Sequence, residues 1–533
     1  MARYGECGKT TRWGYRTGCA VVVAALGLTV AGGTGTAAWA DSVTASGAGV
    51  GVSAAWGDPV ADAVATVLGR NSAAADPGSL YTVENAIRAR AVWKQRDSAG
   101  RQITGQGVSV AVLDSGTAAV PGLSGPGKLS YGPDLSVESN GVLADQDTFG
   151  HGTFMAGIIA AHDGGALTAN NIDSLDPSVQ LGVAPDAGLV SLKLANTDGS
   201  SDVSQIIAAL NWVTEHQSAL NGSRVRVINL SFGTDSIQPY QLDPLAAAAE
   251  NAWHHGVVVV VSGGNEGQNA GRLTNPAIDP YVLAVGASDA SDSLTGWATP
   301  MPASFSNSGT AQRHVDLLAP GTSLVSLRDP GSFIDVNHPE GRVAGDVTGR
   351  LFRGSGTSQA AAVVSGAAAL LLQANPNLTP DQVKAALMNT AKPVLASPIY
   401  AGAGQLDVQA ALSAVRIGAL PLIGTALAPP VTQHYPISTG QGSLDAARGG
   451  SAITDADGQP ITGETDAQGQ PWDPAAWWAA ASHGTSWSGG TWMGATWTGD
   501  HWTTGSDGHN HWSAARWSAA RWSDADWSAA RWS

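Results

Sequence analysis

Cysteine is almost absent from this chain of 533 residues: there are 2, Cys7 and Cys19, both near its start. The body of the chain therefore holds neither a disulfide framework nor a cysteine metal site. A core this large does not require disulfide staples. Charge is also scarce, at 13% of residues, and positive charge scarcest, with Lys+Arg 27 against Asp+Glu 43 and a net charge of −16. That balance argues against a nucleic-acid partner. Two apolar runs, Cys19–Ala31 and Leu420–Pro430, fall short of the roughly 20 residues a membrane-crossing helix needs. The second is also broken by Pro421, Pro429 and Pro430. In place of these missing features stand small residues, including 67 glycines.

The first 40 residues have the three zones of a secretory signal peptide. Arg3, Lys9, Arg12 and Arg16 form a basic stretch, Cys19–Ala31 an apolar one, and Ala38-Trp39-Ala40 a small-x-small cleavage site. This predicts secretion and a mature N-terminus at Asp41, with an uncleaved anchor as the alternative. Arg12 and Arg16 are not adjacent, so no twin-arginine route is indicated. Cys19 stands at the start of the apolar run, where it cannot serve a lipoprotein cleavage site.

Three segments carry chemistry. Val108–Leu113 reads as a buried parallel strand delivering Asp114 to its carboxyl end, with Ser115-Gly116 turning the chain. In Phe149-Gly150-His151-Gly152-Thr153, a histidine lies between two glycines that let other backbone come close, ahead of an apolar small-residue helix. Gly354-Ser355-Gly356-Thr357-Ser358-Gln359-Ala360 places Ser358 at the start of an Ala/Val-rich helix. Unpaired N–H groups and the helix dipole there favour developing negative charge. Each segment alone has a plainer reading: a helix-capping aspartate, a structural histidine, a loop serine.

Together, in the order Asp114, His151, Ser358, they resemble the subtilisin-like serine proteases, or subtilases, whose triad runs in that order. The resemblance extends over Ser79 to Ala414. A fourth segment, Val257–Ser262 followed by Gly263-Gly264-Asn265-Glu266-Gly267, looks like the family strand whose asparagine donates its amide to the oxyanion. The resemblance implies that Asp114 orients His151, that His151 takes the proton of Ser358, and that Ser358 attacks the peptide carbonyl to form an acyl-enzyme. Asn265 and the Ser358 N–H would hold the oxyanion. It implies further that Ser231, Phe232 and Gly233, after the strand Val225–Ser231, bind extended substrate backbone. Gly263 and Gly264 would line the pocket for the residue before the scissile bond. Three positions depart from the family pattern: Phe154 in place of a frequent second histidine, Ala362 in place of proline, and Gln359 in place of methionine.

The chemistry needs no metal or organic cofactor. Subtilase loops often bind structural calcium, and the loop 163–179 carries Asp163, Asp173 and Asp176. Its spacing matches no calcium-loop motif, so it reads as a solvated loop and no metal ligand is assigned.

Strands are expected at Val108–Asp114, Leu189–Leu194, Val225–Ser231, Val257–Ser262 and Val282–Ala287. Helices are expected at Asp202–Ser218, Leu245–His255, Thr357–Leu372 and Pro380–Thr390, with another near Ile87–Trp93. This alternation predicts an α/β protein: a subtilisin-like three-layer fold with a mainly parallel central sheet covered by helices on both faces. The expected order along the chain is a signal peptide over 1–40, a short pro-segment or linker over 41–78, the peptidase domain over 79–416, a linker or small β-rich appendage over 417–472, and a Trp-rich tail over 473–533.

In the tail Trp487, Trp492, Trp497, Trp502, Trp512, Trp517, Trp522, Trp527 and Trp532 recur at five-residue spacing, with Asp507 at the skipped position. That period fits neither a helix face nor strand alternation. It leaves open an irregular repeat, a disordered array or a small stacked β structure. Exposed tryptophans would suit contact with glycan or cell wall, and a low-complexity spacer is the plainer reading. The whole reads as a secreted, monomeric serine endopeptidase acting on polypeptides. A non-catalytic binding protein on the same scaffold is the second reading, and the intact Asp114, His151, Asn265 and Ser358 speak against it.

Overall fold

The computed structural model describes residues 76–496, apart from 137, 140–142, 219–221, 290–299, 418–431, 451–453, 456–459 and 461, together with 512–513. The signal peptide and pro-segment expected before Asp76, and the tryptophans from Trp497 onward except Trp512, lie outside the described residues.

Seven strands form one path in an eight-stranded sheet: β1 (Val108–Asp114), β2 (Leu129–Tyr131), β3 (Gly188–Lys193), β4 (Arg224–Leu230), β5 (Val258–Ser262), β6 (Leu283–Asp289) and β7 (Met301–Pro302). Their spatial order is β2-β3-β1-β4-β5-β6-β7, and β8 (Leu317–Pro320) pairs with β6 off that path. All pairings are parallel except that of β7 with β6. Every residue of β1 and β5 is buried, as strands covered on both faces must be.

Helices cover the sheet in two groups. On one side α3 (His151–Ala160) packs against α6 (Thr357–Ala374), which runs across β1, β4, β5, β6 and β8. On the other, α4 (Val203–Glu215) packs against α5 (Pro244–His254). This is the expected three-layer α/β arrangement. The local signals for α4 and α5 are explicit. Asp202 and Gln205 form a capping box at α4, and Asp243 caps α5 ahead of Pro244. The α6 helix is apolar on nearly every face because nearly every face is buried.

Boundaries moved where long-range contacts act. The helix expected near Ile87–Trp93 is present as α2 (Ala89–Trp93), and a further helix, α1 (Leu80–Ala86), precedes it, with Arg88 left-handed at φ 63° between them. The Ile87 carbonyl accepts from Val408 N, and the Arg88 guanidinium pairs with Asp407, which draws the chain out of a continuous helix. Downstream of α7 (Pro380–Asn389) and α8 (Val408–Ile417), the chain returns to the α4–α5 side. There α9 (Pro474–Ser482) packs on α5, and Trp472, Trp477, Trp487 and Trp492 join the hydrophobic core. The first two units of the five-residue repeat form a small antiparallel meander of two-residue strands, Trp487–Ser488, Thr491–Trp492 and Ala495–Thr496, with Trp487 opposite Trp492. Trp487 and Trp492 are thus buried, where the sequence suggested exposure.

Candidate active site

The candidate residues gather beyond the carboxyl ends of β1, β4 and β5, the edge where ligands meet open α/β sheets. Asp114 is the last residue of β1, and His151 the first of α3. His151 Nδ1 lies 2.7 Å from Asp114 Oδ1, and both side chains are buried. The same oxygen accepts from Ser115 N at 2.8 Å. Glycine is required beside the histidine. A Cβ on Gly152 would stand 1.9 Å from the Gly116 carbonyl oxygen and 3.2 Å from Asp114 Cβ. Gly150 is left-handed, at φ 104°.

A residue that sequence reasoning passed over holds this turn together. Buried Asp147 accepts from Gly150 N at 2.8 Å, Thr153 N at 2.7 Å and Ser115 Oγ at 2.7 Å. Ser115 Oγ in turn accepts from Gly152 N at 3.0 Å. Asp147 thus ties the start of α3 to the turn after β1. Burial pushes its carboxyl above the usual range, against the pull of these donors. Its position four residues before His151, followed by Gly150, was a readable turn signal.

Ser358 is the second residue of α6, 1% exposed, after a Gly356 that supplies no side-chain cap. Asn265, half-buried in the loop after β5, accepts from Thr357 N at 2.8 Å and Thr357 Oγ1 at 3.0 Å. Those two bonds fix the plane of the Asn265 amide next to the serine. Asn307 braces the same loop, accepting from Glu266 N at 2.7 Å and Gly267 N at 3.1 Å. Gly264 is left-handed at φ 108°, and a Cβ there would meet Asn307 Nδ2 at 2.4 Å. Gly263 lies against Val315. Ser231 follows β4 directly, and its Oγ donates to the Ser358 carbonyl at 3.4 Å. Phe232 is 8% exposed, and Gly233 faces the Thr274 side chain.

A cavity of about 710 Å³ opens beside the α3 turn, lined among others by Thr117, Tyr131, Asp145, Asp147, Thr197 and Asp329. Burial, then the neighbouring Asp147 and Asp335, pushes Asp329 up to about 8. An unfolded aspartate titrates near 3.9, so the folded state keeps a proton that the unfolded chain has lost, and stability drains away as pH rises from about 4 to about 8. Asp329→Asn is therefore expected to raise the melting temperature by an amount negligible below about pH 4, growing through that window and level above about pH 8. Melts of both proteins across the window check this; a gain that does not grow with pH contradicts it.

The three departures from the family pattern have structural settings. Phe154 is packed in the core, and Ala362 sits inside an unbroken α6. Gln359 is fully buried, and neither amide atom has a hydrogen-bond partner among the described residues. Orphaned buried polar groups each cost about 1–3 kcal/mol. Gln359→Met is expected to gain about 1–3 kcal/mol in denaturant unfolding and to make activity sensitive to peroxide, through a sulfur the natural chain lacks there. Unchanged stability with unchanged peroxide resistance would contradict it.

The acidic residues of the 163–179 loop point to separate partners. Asp163 pairs with Arg350, Asp173 with Lys94, and Asp176 accepts from Ser178. Among the described residues no group of three or more His, Cys, Asp or Glu could hold a metal ion.

Comparison with known proteins agrees with the architecture. The profile of the Subtilase family matches residues 105–417. The serine protease AprX of Bacillus subtilis is 34% identical over 316 residues, which cover 58% of this chain and 67% of that protein. Subtilisin Savinase of Lederbergia lenta is 34% identical over 311 residues, covering 58% and 93%. Subtilisin E of Bacillus subtilis is 34% identical over 311 residues, covering 58% and 66%. With the mainly parallel sheet and its two helical layers, these matches establish that the chain belongs to the subtilase family and is a subtilisin-like serine endopeptidase.

Proposed function

We propose that Asp114, His151 and Ser358 form the catalytic triad, with Asn265 as the oxyanion donor. The observation that carries this reading is the 2.7 Å contact of His151 Nδ1 with Asp114, on elements that meet at the sheet edge where Ser358 opens α6. Asp114 fixes the tautomer in which Nδ1 carries the proton and Nε2 is the base. Nε2 removes the Ser358 proton as Oγ attacks the peptide carbonyl, then returns it to the leaving amine. The resulting acyl-enzyme is hydrolysed by the same steps with water as nucleophile. The Asn265 amide and the Ser358 N–H at the uncapped start of α6 take the oxyanion charge.

Ser231, Phe232 and Gly233 bind extended substrate backbone in this reading, and Gly263 and Gly264 border the pocket for the residue before the scissile bond. Neither step nor subsite calls for a metal. The peptidase domain spans 79–416, the protein is secreted after removal of residues 1–40, and it acts as a monomer. Contact with glycan or cell wall falls to the tryptophans beyond Trp492, because Trp477, Trp487 and Trp492 are buried.

Incubation with a fluorophosphonate followed by peptide mapping tests the assignment. A single adduct on Ser358 supports it. An adduct on another serine, or cleavage of unfolded casein with no adduct, refutes it.

A further inference from the structure

The family match ends at residue 417, yet the segment beyond it grips α4 from its first turn to its last. At the C-terminal end, Glu215 accepts from Ser486 N at 2.9 Å and Trp487 N at 3.1 Å. In the middle, the indoles of Trp477 and Trp492 both donate to Asn211 Oδ1, at 3.0 and 3.2 Å. At the N-terminal end Arg448 meets Asp202, with side chains 2% and 1% exposed. Its Nε donates to Asp202 Oδ2 at 2.7 Å, and Nη1 to the Gly463 carbonyl at 2.8 Å. The guanidinium is thus anchored on the later segment while it holds the earlier one. A buried pair of this kind adds little net stability against an apolar substitute, but it defines one arrangement of its partners.

Asp202 is the residue through which α4 joins the tight turn 196–201. The turn is closed by Asn196 N to the Ser200 carbonyl at 2.9 Å and Asn196 Nδ2 to Ser200 Oγ at 2.9 Å. Gly199, at φ 82°, leaves no room for a Cβ against the Phe149 ring, which would be 2.9 Å away. Phe149 stands two residues before His151. Thr197 of the same turn lines the cavity next to Asp147 and Thr148.

We propose that the cavity beside the α3 turn receives part of the peptide and that Arg448 is a positioning residue for it: through Asp202, which follows the 196–201 turn directly, it helps to hold the turn that gives Thr197 to the cavity wall. The proposal rests on the active-site assignment above. Arg448 touches neither the triad nor the substrate. Its loss therefore weakens ground-state and transition-state binding alike, which raises KM and leaves kcat per active site nearly unchanged.

The test uses the full chain carrying Arg448→Lys or Arg448→Met, with active sites counted by fluorophosphonate and peptides of increasing length as substrates. For Arg448→Met, KM for the longer peptides is expected to rise about tenfold, with kcat per titrated site within about twofold. Arg448→Lys keeps the charge without the bidentate fork and is expected to fall between. A purely structural role would lower the count of active sites and leave KM alone, and that result overturns the proposal. If Arg448→Met yields no titratable sites, the KM of Arg448→Lys decides alone, and a natural-like value overturns it. A parent protein that neither labels nor cleaves removes the active-site assignment and this inference with it. A labelling parent with unmoved KM in the variants removes the inference only.

Discussion

Ser358→Ala is expected to lower kcat for peptide cleavage on the order of 10⁶-fold while the protein stays folded. The alanine keeps the helix start, since Gly356 and Thr357 rather than the serine side chain shape it, and Asn265 remains bonded to Thr357 N and Oγ1. What disappears is the proposed nucleophile. The residual rate would come from water activated beside an intact oxyanion site, which gives these enzymes about 10³–10⁴-fold over solution. Casein cleavage and fluorophosphonate labelling measured in parallel read both quantities. A variant that kept more than about a hundredth of parental activity at matched purity would show that another group attacks the substrate.

The second large effect concerns Asp114. Asp114→Asn is expected to cost on the order of 10⁴-fold in kcat, with KM for small peptides nearly unmoved. Both His151 Nδ1 and Ser115 N bond the same oxygen, Oδ1. An asparagine that keeps its carbonyl oxygen there preserves both bonds and the tautomer, yet loses the negative charge that stabilises the imidazolium. An asparagine that turns its amide toward His151 loses the tautomer as well. Either arrangement slows proton transfer, and fluorophosphonate labelling should slow in proportion without stopping. A loss below about tenfold would mean that Asp114 is a structural carboxylate and that His151 is oriented by something else.

Much of the architecture was written locally. Val108–Asp114 is a continuous run that a doubly covered strand requires, and it occupies those same bounds. Capping residues such as Asp202 and Thr379 announced helix starts. The residues proposed for the triad lie in three short motifs, each at a strand end or helix start, and this made them legible in one dimension. What was not legible depends on partners far away in sequence. The break at Arg88 is set by Asp407 and Val408. Asp147 acquires its meaning only when Ser115 and Thr153 close around it. The burial of Trp487 and Trp492 depends on Asn211 and Ala208 of α4, and nothing in a five-residue period names that helix.

The meander at residues 487–496 bears on how such a tail changes over generations. Trp492 faces Trp487 on one side and Ala495 on the other, so the strands step by four residues while the tryptophans step by five. At the level of the gene, slippage that adds or drops a five-codon unit keeps the reading frame, but not the register in which these strands pair. A change of one or two codons would turn an indole away from Asn211. The two units that pack on α4 are therefore held to their present length and place by Ala208 and Asn211.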